Sequence, residues 1–516
     1  MSKVLQNIEV DLDAELEEQL QWMAPDYSHF EILKKSVDAR RGKPRFIYSV
    51  EVFGKDEAPE KKNFDLEKLL SPPQLPVCII GAGPAGLFAA LRLLERGIPC
   101  RIFEQGEPTG KRILSIAKFW RKGELNERSN VGFGEGGAGL FSDGKLITRI
   151  KSPFIPYVMR RLVEFGAPVE IEYLANPHVG SDKIRRVIPK MREHLIKLGL
   201  DLRFNTKVVD LRFSGKNVKA VVLESGEVVD CEQIILATGH SSDIFDVLHQ
   251  RDVFMEGKSF AVGLRLEHPQ IEVNRMQYRD YAEHPKLGSA NYKLAYTDKT
   301  QGIGVYSFCM CPGGYVLSSG TEKDGLVSNG MSNFNRNSPF ANAAIVLSVD
   351  HDKNFPGDLF GGMKYRRHLE KQGFEMVHNY GGTRELPAQK LFDFIDGTSK
   401  SEIPKTSSPS GAIKAPLHEL FDQKFRKLFL EALKKFDRQM KGFLSENAIL
   451  FGVESRTSCP LRVTRTESFE SVSHKGLYPT GEGAGYAGGI TSAACDGIKV
   501  AESIYQDHLS FSATSG

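Results

Sequence analysis

Val77-Cys-Ile-Ile80 runs directly into Gly81-Ala-Gly83-Pro-Ala-Gly86, and Leu87-Phe-Ala-Ala-Leu-Arg-Leu-Leu-Glu-Arg96 follows, ended by Gly97. A short apolar run bounded by glycine suits a buried strand, and the apolar spacing after Gly86 suits a helix, so the stretch predicts strand, tight turn, helix. Such a turn lets backbone N–H groups approach a pyrophosphate closely, and a helix N-terminus, with roughly half a positive charge, favours the negative charge. Glycines alone are weak evidence. A second apolar segment, Cys100 to Phe103, ends in Glu104, 18 residues after Gly86, where a carboxylate can accept hydrogen bonds from both hydroxyls of a ribose. The combination predicts a dinucleotide-binding Rossmann-type domain contacted through Gly81, Gly83, Pro84, Ala85, Gly86, Glu104 and Gln105, with Lys111 and Arg112 just beyond as further candidates.

The choice between FAD and NAD falls to the C-terminus. Gly476-Leu-Tyr-Pro-Thr-Gly-Glu-Gly-Ala-Gly-Tyr-Ala-Gly-Gly489 leads into Ile490-Thr-Ser-Ala-Ala-Cys-Asp496, a second strand, glycine-rich turn and helix. In flavoproteins of this build an acidic residue, here Glu482, meets the ribityl or phosphate region. The following helix points its positive end at N1 and O2 of the isoalloxazine, where negative charge collects on reduction. An NAD domain needs no such segment, so FAD is expected, with Gly481, Glu482, Gly489, Ile490 and Thr491 against it. A third glycine cluster, Gly132 to Lys145, has no strand before it and no helical pattern after it. It is therefore expected to wrap the pyrophosphate and one edge of the ring, through Gly136, Gly137 and Lys145, rather than to form a second nucleotide fold.

Around these segments the chain divides. Its 516 residues suggest about three domains. Residues 1–54 read as a small α+β domain, with a strand near Ile8 to Leu12, an acidic helix from Asp13 to Met23 and a hairpin through Phe30 to Leu33 and Arg45 to Val52; 55–76 read as a linker, in which Phe64 to Leu70 could hold a helical turn. Residues 77–244 and 451–507 form the expected FAD-binding domain. It carries a helix, Ile184 to Leu198, and a β-meander, Asp201 to Asn205, Lys207 to Phe213, Val218 to Leu223 and Val228 to Ala237, that places Val208, Thr238 and Gly239 near the cofactor. Residues 245–450 read as an inserted α+β substrate domain and 508–516 as a frayed tail. The fold class is thus α/β, a discontinuous Rossmann-type domain with two α+β additions.

Composition limits the partners. Hydrophobic residues are 41% and charged residues 26%, as in folded globular proteins, and Lys plus Arg exceeds Asp plus Glu by 68 − 65 = 3. No basic stripe points to nucleic acid and no apolar run reaches membrane length, so a small-molecule substrate and a cytoplasmic location are expected, with no membrane partner. The seven cysteines make no CxxC and no cluster with histidine at zinc spacing, so they are expected to be reduced and no metal is expected.

Further strings are Ser36-Val-Asp-Ala-Arg40, Asn176-Pro-His-Val-Gly-Ser-Asp182, Met310-Cys-Pro-Gly-Gly-Tyr315, Ser328-Asn-Gly-Met-Ser332 and Arg456-Thr-Ser-Cys-Pro460. With the glycine motifs, they make the chain resemble, over nearly its whole length, the bacterial and plastid FAD-dependent dehydrogenase family of unestablished substrate. That family is itself related to the glutathione reductase and fumarate reductase structural group. Cys459 stands where the family has serine, and Ser181 where it has threonine. The resemblance implies an FAD-dependent oxidoreductase without naming a substrate or a catalytic residue.

Candidates for the chemistry therefore come from residue type and place. Arg456 is the first, as a grip on an anionic substrate or on the flavin's pyrimidine edge, with Arg265 and Arg336 behind it. His178 and His240 lie beside expected cofactor loops and are candidate acid/base groups. Cys309 and Cys311 flank Met310; in a continuing strand they would lie about 6.5–7 Å apart, too far for a disulfide, so both are expected to stay reduced, with Cys311 turned towards the substrate side. Hydride transfer between an organic substrate and flavin N5 is the expected activity, with NAD(P)H a transient donor. The alternatives are an FAD-dependent RNA-modifying enzyme and a flavin-binding scaffold or sensor.

Overall fold

The computed structural model describes residues 2–40, 42–59 and 66–514, without the side chains of 511–514. Val77–Ile80 is buried at every position and lies at the centre of five parallel strands, in the order Leu477–Pro479, Ile234–Leu236, Val77–Ile80, Cys100–Phe103, Asp201–Arg203. Parallel strands covered on both faces are apolar throughout rather than alternating, which is why these short runs read as they do. The helix Pro84–Glu95 packs between this sheet and the C-terminal helix Ile490–Thr514, and it is buried from Ala85 to Leu93. A Cβ on Gly86 would stand 2.0 Å from the Gly81 carbonyl oxygen, so turn and helix close this tightly only around glycine.

Two strand readings shift. Asp201–Arg203 joins the parallel sheet instead of the meander, and Val228 to Ala237 is two strands, Val228–Asp230 and Ile234–Leu236, because the chain leaves the meander at Cys231 to enter the parallel sheet. The meander itself is Val208–Ser214, Asn217–Leu223 and Val228–Asp230, all antiparallel. The C-terminal helix continues through Thr514, anchored by the buried Ile504 and Tyr505, so fraying from 508 is not seen. Phe64 and Asp65 lie outside the described residues, and 66–69 form no helical turn.

A second, seven-stranded sheet runs in the order Ala295–Asp298, Ile303–Cys311, Phe340–Val349, Phe260–Pro269, Ile449–Glu454, Leu386–Lys390, Ala412–Lys414. Ile449–Glu454 thus belongs with the inserted region, and the return to the first sheet falls after Glu454 rather than at 451. The helix Gln423–Gln439 buries its phenylalanine face, Phe425, Phe429 and Phe436, in the core of this sheet. The N-terminal strands Lys3–Asp11, His29–Asp38 and Arg45–Phe53 form a three-stranded sheet of their own, and Leu5, Ile8 and Val50 are part of the same apolar cluster. No helix among the described residues is long and apolar enough to cross a membrane.

Candidate functional site

A cavity of about 590 Å³ lies where the C-terminal ends of Val77–Ile80, Cys100–Phe103 and Ile234–Leu236 meet the second sheet. The size is that of an ordinary small-molecule or cofactor site, and the carboxyl ends of parallel strands are where α/β sheets bind ligands. Gly81, Gly83, Pro84 and Ala85 form one wall, with the helix N-terminus at Gly83 bearing no side-chain cap. A Cβ on Gly83 would meet only Gly137 Cα, at 3.8 Å, so the protein's own packing tolerates a side chain there and the space in front belongs to the cavity. Glu104 and Gln105 also line it. The Glu104 carboxylate accepts the N–H of Ala82 and the N–H of Gly106, each at 2.8 Å, which fixes it while leaving lone pairs towards the cavity.

Three more segments complete this half: Thr206 to Val209 from the start of the meander, Thr238 to Ser241, and Thr480, Glu482, Gly488, Gly489 and Ile490 ahead of the C-terminal helix. His240 Nε2–H donates to the Glu482 carboxylate at 3.2 Å, and its buried Nδ1 has no hydrogen-bond partner among the described residues. The third glycine cluster curls over the cavity from Val131 to Gly139, then delivers Ser142, Asp143 and Lys145 to it.

Several expected contacts sit elsewhere. Arg112 is fully buried behind the glycine loop and donates to the carbonyls of Asn130, Val131 and Glu135 at 2.6–2.9 Å, so it shapes the loop and does not line the cavity. Lys111 is exposed on the outer side of the same helix. Gly86, Gly136, Gly481 and Thr491 lie one layer back, where Gly481 N–H is bound by Asp496 at 2.8 Å and Thr491 Oγ1 by the Leu146 carbonyl at 2.7 Å. His178 is held outside by the Phe334 carbonyl at 2.8 Å, and burial lowers its pKa.

The second sheet supplies the opposite wall: Phe308, Cys309, Val327, Ser328, Asn329, Glu454, Arg456 and Thr457. Arg456 reaches it, but its fork is bound bidentately to buried Glu370, at 3.0 and 2.9 Å, and to Thr321 at 2.7 Å. Against the upward push of burial, Arg456 holds Glu370 at about 2. Arg265 lies behind the wall, bonded to Glu454 at 3.0 Å and Asn342 at 2.8 Å, and Arg336 pairs with Asp143 at 2.7 Å. The thiol in the lining is that of Cys309, with Cys311 behind it, because the strand is not regular there.

Glu454 was not singled out by sequence reasoning. Burial pushes its pKa up to about 7 despite the pull of Arg265. Its signal is present in the sequence: a carboxylate ending the apolar run Ile449-Leu-Phe-Gly-Val453, and an arginine inside another, Phe260 to Leu266.

Comparison with known proteins agrees with this arrangement. Residues 259–457 match the model of the family described as "FAD-dependent protein, C-terminal domain-like", and residues 74–113 match an FAD binding domain; residues 5–53 match a domain of unknown function. An uncharacterised protein of Clostridium beijerinckii is 39% identical over 528 residues, covering 97% of this chain and 98% of its own. Among solved structures, a flavoprotein/dehydrogenase from Cytophaga hutchinsonii is 13% identical with a TM-score of 0.35, covering 85% of this chain and 79% of its own. A halogenase in complex with FAD is 12% identical with a TM-score of 0.41, covering 85% and 71%. Structural likeness at that level is weak, and family membership rests on the sequence matches.

Proposed function

The chain belongs to this family of FAD-dependent proteins, and on that premise we propose that it is an oxidoreductase that passes hydride between a small organic substrate and N5 of the flavin. The cavity suits the cofactor. The uncapped helix N-terminus at Gly83 offers N–H groups and partial positive charge to a pyrophosphate, with open space in front of a glycine that the fold itself does not demand. The carboxylate of Glu104 keeps lone pairs for a ribose, and the orphaned Nδ1 of His240 awaits a polar partner. When bound, FAD supplies a two-electron centre at N5.

The chain's own residues do the rest. The start of the C-terminal helix, at Gly489 and Ile490, brings positive potential to the cavity, where negative charge on a reduced ring would be favoured. Phe308 and Val327 keep water from the reacting centre, while Ser328 and Asn329 orient polar groups of the substrate. Glu454 gives or takes the proton that balances hydride movement, and Arg265 holds its carboxylate in place. Arg456 acts as a positioning residue through Glu370. The observation that carries the reading is one cavity that joins the uncapped Gly83 turn and Glu104 on one wall with Glu454, bonded to Arg265, on the other. NAD(P)H is proposed as a donor that docks transiently.

The test is anaerobic photoreduction of the holoprotein followed by mixing with a panel of organic acceptors and, separately, with tRNA. Reoxidation by an organic acceptor without dioxygen supports the enzyme. Reoxidation by none of them supports a scaffold or sensor, and a base modification in the tRNA supports the RNA reading.

A further inference from the structure

The strand Ile303–Cys311 pairs regularly with Phe340–Val349 as far as Phe308, which faces Ala344; the next pair is Cys311 with Asn342. Three steps on one strand are matched by two on the other, which is a β-bulge. Cys309 absorbs it at φ +45°, in the left-handed region that a residue with a Cβ seldom enters. Bulges of this kind re-aim side chains beside active sites, and strain of this kind collects there. Here Cys309 lines the cofactor cavity while Cys311, fully buried, turns its Sγ onto the Cys309 carbonyl oxygen at 3.3 Å.

In a regular strand these residues would stand about 6.5–7 Å apart, beyond the Cβ separation of about 3.5–4.5 Å that a disulfide needs. The bulge breaks that regular spacing, and it leaves the Cys311 thiol folded back on the backbone of Cys309. Cations converge on the pair. Lys145 Nζ donates to the carbonyl of Met310, the residue between them, and stands 3.5 Å from Asp143, while Arg265 Nη1 lies 3.4 Å from the Cys309 carbonyl and pairs with Glu454. The neighbouring Cys311 thiol, with Lys145 and Arg265 acting against burial, lowers the pKa of Cys309, and the nearness of Cys309 together with burial raises that of Cys311.

We propose that Cys309 and Cys311 are a redox-active dithiol that exchanges electrons with the bound flavin, with Cys309 as the partner that meets it. The inference rests on the flavin oxidoreductase reading above. In the oxidised form the two sulfurs are joined. Reduction breaks the S–S bond: two electrons and one proton arrive from the two-electron-reduced cofactor, which returns to its oxidised state. Cys309 leaves with an electron pair as thiolate, held by Lys145 and Arg265, and Cys311 takes the proton. The exposed side of Cys309 then makes a disulfide, or another sulfur compound reduced by two electrons, the class of substrate this wall serves.

Two measurements test it. Holoprotein oxidised with diamide, freed of reagent and titrated anaerobically with dithionite should take up about four electrons per flavin, since each two-electron couple contributes about two. Cys309→Ser and Cys311→Ser should each bring this down to about two with FAD retained. Uptake of two electrons by the wild type overturns the dithiol and leaves the flavin reading intact, whereas a flavin that accepts none overturns that reading first. Should either variant lose its FAD, wild-type protein stripped of FAD decides: after diamide, mass spectrometry of the peptide spanning 309–311 should show both thiols closed to alkylation and open again after reduction. Two freely alkylated thiols after diamide overturn the proposal.

Discussion

Valine in place of Gly83 separates the cofactor's requirements from those of the fold. Gly83 has φ −78° and ψ −177°, an extended conformation that valine adopts readily, and an added Cβ finds only Gly137 Cα at 3.8 Å. Stability of the apo protein should therefore change by less than about 1 kcal/mol, the scale of a substitution without a clash or lost partner. The valine methyls, however, fill the approach to the helix N-terminus. A pyrophosphate displaced from it loses two or three charge-assisted hydrogen bonds at roughly 1.5–3 kcal/mol each, so the FAD dissociation constant should rise at least about 150-fold. Gly86→Ala is the contrast: its Cβ would stand 2.0 Å from the Gly81 carbonyl oxygen, so that protein should lose stability as well as flavin. Purified Gly83→Val is expected to be colourless, with the far-ultraviolet circular dichroism and melting temperature of apo wild type. Recovery of Gly83→Val with one FAD per chain would refute the assignment of this turn to the pyrophosphate.

Arg112→Met leaves three buried carbonyls without a donor, at about 1–3 kcal/mol each, and should lower both melting temperature and FAD affinity; Arg112→Lys should not restore them, because a point charge cannot serve the fork. Glu104→Ala should weaken FAD binding by roughly 1.5–3 kcal/mol, about 10- to 150-fold by titration of the apo protein. Arg456→Met takes the bidentate partner from buried Glu370, leaving Arg366 at 3.7 Å and the Ser455 hydroxyl beside it, and should cost up to about 3–5 kcal/mol in chemical denaturation; an unaltered midpoint would return Arg456 to the role of substrate grip. NADH and NADPH should bind the oxidised protein without a submicromolar dissociation constant, as the strand-turn-helix unit with its acidic partner is the one proposed here for FAD, and isothermal titration would reveal a tighter site.

What could be read in the sequence is what is local. Val77 to Gly86 and Glu104 announce themselves because strand, turn, helix and second strand follow within 28 residues, and the Gly476 to Ile490 turn repeats the pattern. Arg112 is a candidate cofactor contact by position, but position alone cannot say which way a guanidinium faces; its partners are carbonyls of a loop that follows 18–23 residues later. Glu454 stayed hidden because its significance depends on Arg265, 189 residues away on a neighbouring strand, and on burial that only the packed sheet creates. Which of Cys309 and Cys311 lines the cavity is hidden for a similar reason: the bulge that turns Cys309 into the lining exists only in register with Phe340–Val349.

The most direct test is the proton chemistry of Glu454 during anaerobic reoxidation of photoreduced holoprotein by an organic acceptor, followed in a stopped-flow spectrometer. As the proton donor, with its pKa raised to about 7, Glu454 should give a rate constant that is flat at acid pH and falls as pH rises through about 7. Glu454→Gln, which keeps the shape but cannot donate that proton, should lose the pH break and be slower by roughly 10²–10⁴-fold with FAD still bound. A Gln variant reoxidised at the wild-type rate, with the same pH profile, would contradict the account.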